Sequence, residues 1–339
     1  MKIAVVGHSL AHVRQQKFFE QVAKLGHLVR LYCPDAWSIL RPKPYSWDRL
    51  YDARFSLYPL PTIGAPDMYH YRLPGLSEAL TADPPDVLYI QQEVACAIVP
   101  SCLELAGRLG ARAALFVWEN LHAPSEAQQD HLRRFDLVVC GNDRAYDLHA
   151  AAKRRVILPQ VGVDTDHFCP RPGLERSVNV GFFGRPVPEK GIHYLESAWP
   201  TAKITTWSDW TRLPWPMSTV KVAVCYSQDT AVWNEQAMPY VAVEAMACEC
   251  SVVVSDAGAI PFWLRGEPGD FTPGDPAPVF WAKQGSVEEL REAIAAANTL
   301  TQGPDSRAWV VKHLSSPVIG KRLMEELDAV VEEEGEHPA

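Results

Sequence analysis

Short runs of consecutive apolar residues recur along the chain, and most are followed by a segment of helix length. Lys2–Gly7 reads as a strand, Val13–Leu25 as a helix and Leu28–Cys33 as a strand. Further strands are predicted at Val87–Gln91, Ala113–Trp118, Leu137–Cys140 and Val156–Pro159, with helices such as Val99–Leu109 between them. This alternation implies a parallel sheet covered by helices on both faces. Residues 36–75 break the rhythm. They are rich in proline (Pro42, Pro44, Pro59, Pro61, Pro66, Pro74) and aromatics, and irregular structure wrapped over the sheet is expected there.

A second series of strands begins at Val178–Gly184 and continues through Ala202–Trp207, Val220–Tyr226 and Ser251–Val254. Ser286-Val-Glu-Glu289 has the spacing of a capping box and opens a helix to about Asn298. Pro159–Arg176 holds Pro, Gly and Asp with little periodicity, which places the linker there. A last helix, about Pro317–Glu333, follows the break at Ser315-Ser316-Pro317. The division expected is a first domain over 1–165, a second over 166–316, and a C-terminal helix with an acidic tail over 317–339 that packs back on the first domain. The class is α/β, with two Rossmann-like parallel-sheet domains facing across a cleft.

The 339 residues are enough for two ordinary domains, and 47 % apolar content allows large cores. No run approaches a membrane span, and Met1–Gly7 lacks a signal-peptide layout, so a cytoplasmic protein without a transmembrane segment is expected. The eight cysteines (33, 96, 102, 140, 169, 225, 248, 250) lie mostly inside apolar runs and read as buried reduced thiols. Cys248 and Cys250 form a CxC with no second ligand pair nearby, so no metal site is expected. Formal net charge is −9, but seven acids crowd the stretch after Leu323, and the remainder carries only −2. Arg133, Arg134, Lys153, Arg154, Arg155, Arg171 and Arg176 read either as solvated charges or as a basic face for an anionic acceptor.

Two parallel-sheet domains on one linker bring their carboxyl-end loops to a common crevice, where ligands bind. The loop Gly184-Arg185-Pro-Val-Pro-Glu-Lys190-Gly191 follows a strand and precedes a helix. Gly184 lets the backbone approach closely, Arg185 offers a fork of donors and Lys190 a compact point charge, a set that suits a diphosphate. Between Tyr226 and Asp256, Glu235 and Glu244 flank a short loop entering a small-residue helix (Ala245, Met246, Ala247). Carboxylates there suit a ligand rich in hydroxyls. In the first domain, His8 and Ser9 end one strand, Gln92 and Glu93 a second, and Trp118, Glu119, Asn120 and His122 a third. These groups read as cleft-lining or acceptor-side, with His8 reading equally as a structural hydrogen-bonding group and Trp118 as interdomain packing.

GRPVPEKG resembles the Arg/Lys diphosphate motif of the family 4 retaining glycosyltransferases. PQVGVDTDHFCP (159–170) resembles their linker, WNEQAMPYVAVEAMAC their paired-glutamate motif and VVSDAGAIP (253–261) the glycine loop that follows. RQQKFFEQVAKLGHLVRLYCPDAW, FVWENLH and VVCGNDRA resemble one branch of the family, so the likeness covers nearly the whole chain. The resemblance implies the GT-B fold, a nucleoside-diphosphate sugar as donor, no metal or other cofactor, and transfer to an acceptor hydroxyl with retained anomeric configuration. The acceptor could be a saccharide, a lipid-linked sugar, a metabolite or a modified nucleic-acid base. Arg185 and Lys190 would neutralise the leaving diphosphate, Glu235 would hold donor-sugar hydroxyls and Glu244 the ribose. Gly184, Gln236, Ala237, Met238 and Gly258 would complete the donor site.

Departures from the family pattern stand beside these matches. Glu235 and Glu244 are one residue further apart than usual, which leaves Gln236 at the strict spacing; flanking Trp233 and Gln236 favour Glu235. Glu249 stands where the family has glycine after the cysteine, and Phe262 where it has glutamate after Ile-Pro. The N-terminal loop is Gly7-His8-Ser9-Leu10 in place of a glycine pair. Only 35 residues separate Gly191 from Ser227, so the second domain is expected to be shortened. Trp207, Trp210 and Trp215 in that span read either as a stacking platform for the base or as cover for an exposed edge. A sugar-nucleotide epimerase or hydrolase, or a non-catalytic nucleotide-sugar-binding protein, are the competing readings on this fold.

Overall fold

The computed structural model describes residues 1–37, 54–206, 209–266, 274–300 and 303–332. Pro42, Pro44, Trp207 and the end of the acidic tail (Glu333, Glu334, Glu336) lie outside the described residues. The chain forms two compact units, Met1–Gly162 with Ile319–Ala339, and Val163–Val318.

In the first unit, strands β1 (Lys2–Val6), β2 (Leu28–Pro34), β3 (Phe55–Leu60), β4 (Val87–Gln91), β5 (Arg112–Val117), β6 (Leu137–Cys140) and β7 (Arg155–Ile157) form one sheet. Its order is β3-β2-β1-β4-β5-β6-β7, and every neighbouring pair is parallel. The central strands are apolar over most of their length because helices cover both faces. Val5, Ile90 and Leu115 are fully buried, for instance. The order reverses between β1 and β4, and ligands of such sheets bind outside the strand ends at that point.

One expectation is corrected here. The stretch read as irregular between 36 and 75 contains β3, paired in register from Val29↔Phe55 to Pro34↔Leu60. As the edge strand it has one solvent-facing rim, so Pro59 sits in it without breaking a ladder, and Tyr58 stays exposed while stacking on Tyr32 at 5.0 Å. The C-terminal helix Ser316–Glu332 contributes to this unit from Ile319 onward. Gly320 packs against Val22 and Phe18, and Glu326 accepts from the Arg154 guanidinium at 2.8 Å.

The second unit contains β8 (Val178–Phe183), β9 (Lys203–Thr205), β10 (Val220–Cys225), β11 (Ser251–Ser255) and β12 (Phe280–Ala282). All pairs are parallel in the order β12-β11-β10-β8-β9, so the switch point lies between β8 and β10. The loops leaving these two strands carry Lys190 and Glu235. Ser286 caps the helix Val287–Thr299 by accepting from Glu289 N at 3.2 Å. The Glu289 carboxylate completes the turn on Lys283 N, not on Ser286 N as a reciprocal box requires. Among the described residues no helix is long and apolar enough to cross a membrane. Six of the eight cysteines are buried, and all eight are free thiols.

The helix Tyr240–Ala247 ends in a backbone turn with Cys250 N donating to Ala245 O at 3.0 Å. That turn requires a left-handed residue, and Glu249 occupies it at φ 61°. A side chain in this conformation costs about 1 kcal/mol relative to glycine. Glu249→Gly is therefore expected to stabilise the protein by about 0.5–1 kcal/mol, read as a raised urea midpoint with an unchanged slope.

Candidate active site

At the switch point of the second unit, the loops after β8 and β10 touch directly. Gln228 N donates to Glu189 O at 2.8 Å. Gly191, at φ 65°, leaves room where a Cβ would stand 2.1 Å from Tyr226 O. Gly184 has φ 142° and no atom nearer than 3.8 Å to a hypothetical Cβ, so its glycine serves the backbone conformation. The glycine loop after β11 closes the arrangement. Ala259 N donates to Glu235 O at 2.7 Å, and a Cβ on Gly258 would meet that carbonyl at 2.2 Å.

This convergence brings Lys190 and Glu235 together. Lys190 Nζ lies 2.6 Å from Glu235 Oε2, and Ser227 Oγ donates to the same oxygen at 2.6 Å. The Lys190 ammonium also stands 4.8 Å over the Trp233 ring. The pair is largely shielded, with side-chain exposures of 23 % and 15 %. Gly184, Lys190, Ser227 and Val241 border a cavity of about 60 Å³ beside it. Gln236 and Ala237 are half-buried and Met238 is buried on the following turn. Arg185 is exposed and, among the described residues, makes no ion pair.

Glu244, expected at the entrance of the helix, lies inside it. The helix begins at Tyr240, so Glu244 stands in its second turn at 2 % exposure. Its Oε1 accepts from Trp210 Nε1 at 3.2 Å. Trp210 is half-buried, stacked on His167 at 4.3 Å and edge-on to Phe168 at 5.4 Å, so its ring already has aromatic partners within its own unit. Trp215 is 55 % exposed, with the Arg171 guanidinium 5.2 Å over one face. Phe262 lies in a short helix, edge-on to Trp263 at 5.1 Å.

In the first unit, Gly7 stands where a Cβ would meet Gln91 O at 2.8 Å, which joins the ends of β1 and β4. His8 Nδ1 accepts from Gln92 Nε2 at 2.6 Å, and the same amide donates to Tyr71 OH at 2.8 Å. The neutral ring therefore carries its proton on Nε2. Burial holds the His8 pKa down at about 4 against a gain from the Gln92 bond, so it offers no cation for a phosphate near neutral pH. Ser9 is buried and accepts from Gln160 Nε2 at 3.2 Å. Gln92, expected at the cleft, is fully buried as the link between His8 and Tyr71.

Glu93 Oε1 accepts from Trp118 N at 2.7 Å and Glu119 N at 3.2 Å. Glu119 Oε1 accepts from Leu121 N at 2.7 Å and His122 N at 3.1 Å. Glu93, Glu119 and His122 line a cavity of about 220 Å³. Asn120 is 1 % exposed and the Trp118 ring leans on Phe116 at 5.6 Å. The cavity also contains His149, which had no sequence signal beyond being a lone histidine at a helix end. Ser227 was likewise not singled out, although it follows a strand directly. At least four of the seven basic residues read as a face have local partners. Arg133 pairs with Asp130, Arg154 with Glu326, Arg155 covers Tyr146, and Arg176 donates to the Val220 and Cys248 carbonyls.

No protein-family model and no curated protein matches the sequence. Solved structures match the fold over nearly the full length. A glycosyltransferase from Rickettsia africae aligns with TM-score 0.69 and 13 % identity, over 97 % of this chain and 98 % of its own. HepE of Anabaena in complex with UDP-glucose aligns with TM-score 0.67 and 15 % identity, over 97 % and 100 %. Sucrose-phosphate synthase of Thermosynechococcus elongatus aligns with TM-score 0.66 and 15 % identity, over 98 % and 100 %. The two parallel-sheet units and these neighbours establish the GT-B fold for this chain.

Burial raises the Glu93 pKa from 4.5 to about 8, against the lowering pull of the two backbone N–H groups. The folded protein thus keeps a proton that the unfolded chain releases. This contribution to stability is complete below about pH 4.5 and is lost as pH rises through about 8. Glu93→Gln is expected to flatten the fall in urea midpoint between about pH 5 and about pH 9.

Proposed function

We propose that this chain is a retaining glycosyltransferase that moves a sugar from a nucleoside-diphosphate sugar to an acceptor hydroxyl without a metal ion. The observation that carries the reading is the Lys190–Glu235 pair at the switch point of the second sheet. A diphosphate entering beside Gly184 would draw the Lys190 ammonium from Glu235, with exposed Arg185 on the same loop as a second cation. Glu235, released from Lys190 and steadied by Ser227, would accept hydroxyls of the donor sugar. Glu244, held by Trp210, would take the ribose. HepE was captured with UDP-glucose on this fold, which supports a nucleotide-sugar donor.

In the step itself the bond from C1 to the diphosphate oxygen breaks, and the acceptor oxygen bonds to C1 on the same face. The acceptor proton leaves to the departing diphosphate. The two cations stabilise the negative charge that develops there, which is the main electrostatic task of such a site. A cationic pair in this position makes a divalent ion unnecessary.

Incubation with a panel of nucleotide sugars tests the reading. Slow donor hydrolysis that survives EDTA, and transfer products that keep the anomeric configuration by proton NMR, are expected. Inversion at C1, C2 epimerisation of the donor, or binding without turnover each contradicts it. Lys190→Ala is expected to lower kcat/KM by at least ~100-fold, and Glu235→Gln by a similar factor, with circular dichroism unchanged.

A further inference from the structure

The cavity of the first unit has a chemistry of its own. Its volume of about 220 Å³ lies below the ~300–1,000 Å³ of pockets that hold drug-sized ligands, so it has room for one ring rather than several. Two of its lining residues carry buried polar atoms that, among the described residues, have no partner. Glu93, 3 % exposed, commits Oε1 to two backbone N–H groups and leaves Oε2 unmatched. His149, 1 % exposed, lies with Nδ1 2.7 Å from Ala145 O and leaves Nε2 unmatched. A carbonyl only accepts, so Nδ1 carries the proton and Nε2 presents a lone pair. Burial lowers the His149 pKa, which keeps the ring neutral, and raises that of Glu93, which keeps Oε2 a donor near neutral pH. Each unmatched atom is destabilising unless a ligand or water meets it.

We propose that this cavity binds the acceptor as an uncharged, hydroxyl-bearing sugar ring and excludes a phosphorylated one. The inference rests on the transferase reading above. A hydroxyl accepts from Glu93 Oε2–H and donates to His149 Nε2, so it matches both atoms at once. Tyr69 on another wall presents a ring against the apolar face of a sugar. A phosphate finds the opposite environment. Among the described residues no Lys or Arg lines the cavity, and Glu119 does. His122 at the rim is already 3.3 Å from the Glu119 carboxylate. Arg155 acts electrostatically on His149, but its guanidinium lies 4.2 Å over the Tyr146 ring and donates to the Tyr146 carbonyl. Buried phosphate sites are built from such cations, and here none is turned inward.

Saturation-transfer NMR on the full chain tests this, with the methyl α-glycosides of glucose, galactose and mannose as neutral probes and glucose 6-phosphate as the charged one. At least one neutral glycoside should bind and glucose 6-phosphate should not. His149→Phe should weaken neutral binding about tenfold, as for one lost hydrogen bond. Glu93→Gln, whose amide keeps one acceptor and one donor, should hold affinity within about threefold, and Glu93→Leu should abolish binding. Should the buried variants fail to fold, His122→Lys on the exposed rim decides: it should admit glucose 6-phosphate. Binding of glucose 6-phosphate to the wild type, no binding of any neutral probe, or indifference to His149→Phe and Glu93→Leu overturns the proposal. So does failure of His122→Lys to admit the phosphate. Donor hydrolysis measured in parallel separates the two readings. Hydrolysis without glycoside binding removes this inference alone, whereas glycoside binding without hydrolysis sustains the pocket and removes the transferase assignment.

Discussion

The Lys190–Glu235 contact depends on three loops approaching more closely than side chains normally allow. The loop after β8 meets the loop after β10 through Gly191, and the loop after β11 meets Glu235 through Gly258. Both glycines occupy left-handed backbone, and both stand where a Cβ would overlap a carbonyl oxygen. The sheet order puts β8 and β10 side by side with the switch point between them, so these are the strand ends from which a ligand is reached. Topology selects the location, the glycines permit the contact, and the charges then meet.

The pair is better understood as a charge held in readiness than as a brace for the fold. A partly shielded ion pair gains Coulomb energy but loses hydration at both ends, and the net is small against the packing of a parallel sheet. An arrangement of that kind exchanges partners at little cost. Trp233 beneath the ammonium and Ser227 on the carboxylate keep each group placed if the pair separates. Glu244 shows a different design. It is locked by Trp210, itself clamped by His167 and Phe168, so its orientation is set before any ligand arrives.

The central strands were legible because burial on both faces makes them continuous apolar runs, and β4 and β6 carry the predicted bounds. The edges were not. β3 contains Pro59 and leaves Tyr58 and Pro59 exposed, so its pattern resembles a loop, and β12 spans only Phe280–Ala282. Lys190 and Glu235 were legible from the order of strand-end loops, but no spacing rule reveals that they touch, since 45 positions separate them. The helix start at Tyr240, with Pro239 as its N-cap, lies earlier than the small-residue run Ala245–Ala247 suggested, and it is this start that places Glu244 inside the helix. His149 was invisible because its meaning comes from Glu93, far away in sequence and brought near only by the sheet.

A crystal structure of the protein with a bound nucleoside diphosphate is the most direct measurement of the central claim. The account predicts the diphosphate against the 184–191 loop, with Lys190 Nζ moved from Glu235 to a phosphate oxygen and the Glu235 carboxylate left facing the vacated sugar position. A diphosphate bound elsewhere, or one that leaves the Lys190–Glu235 pair intact, contradicts it.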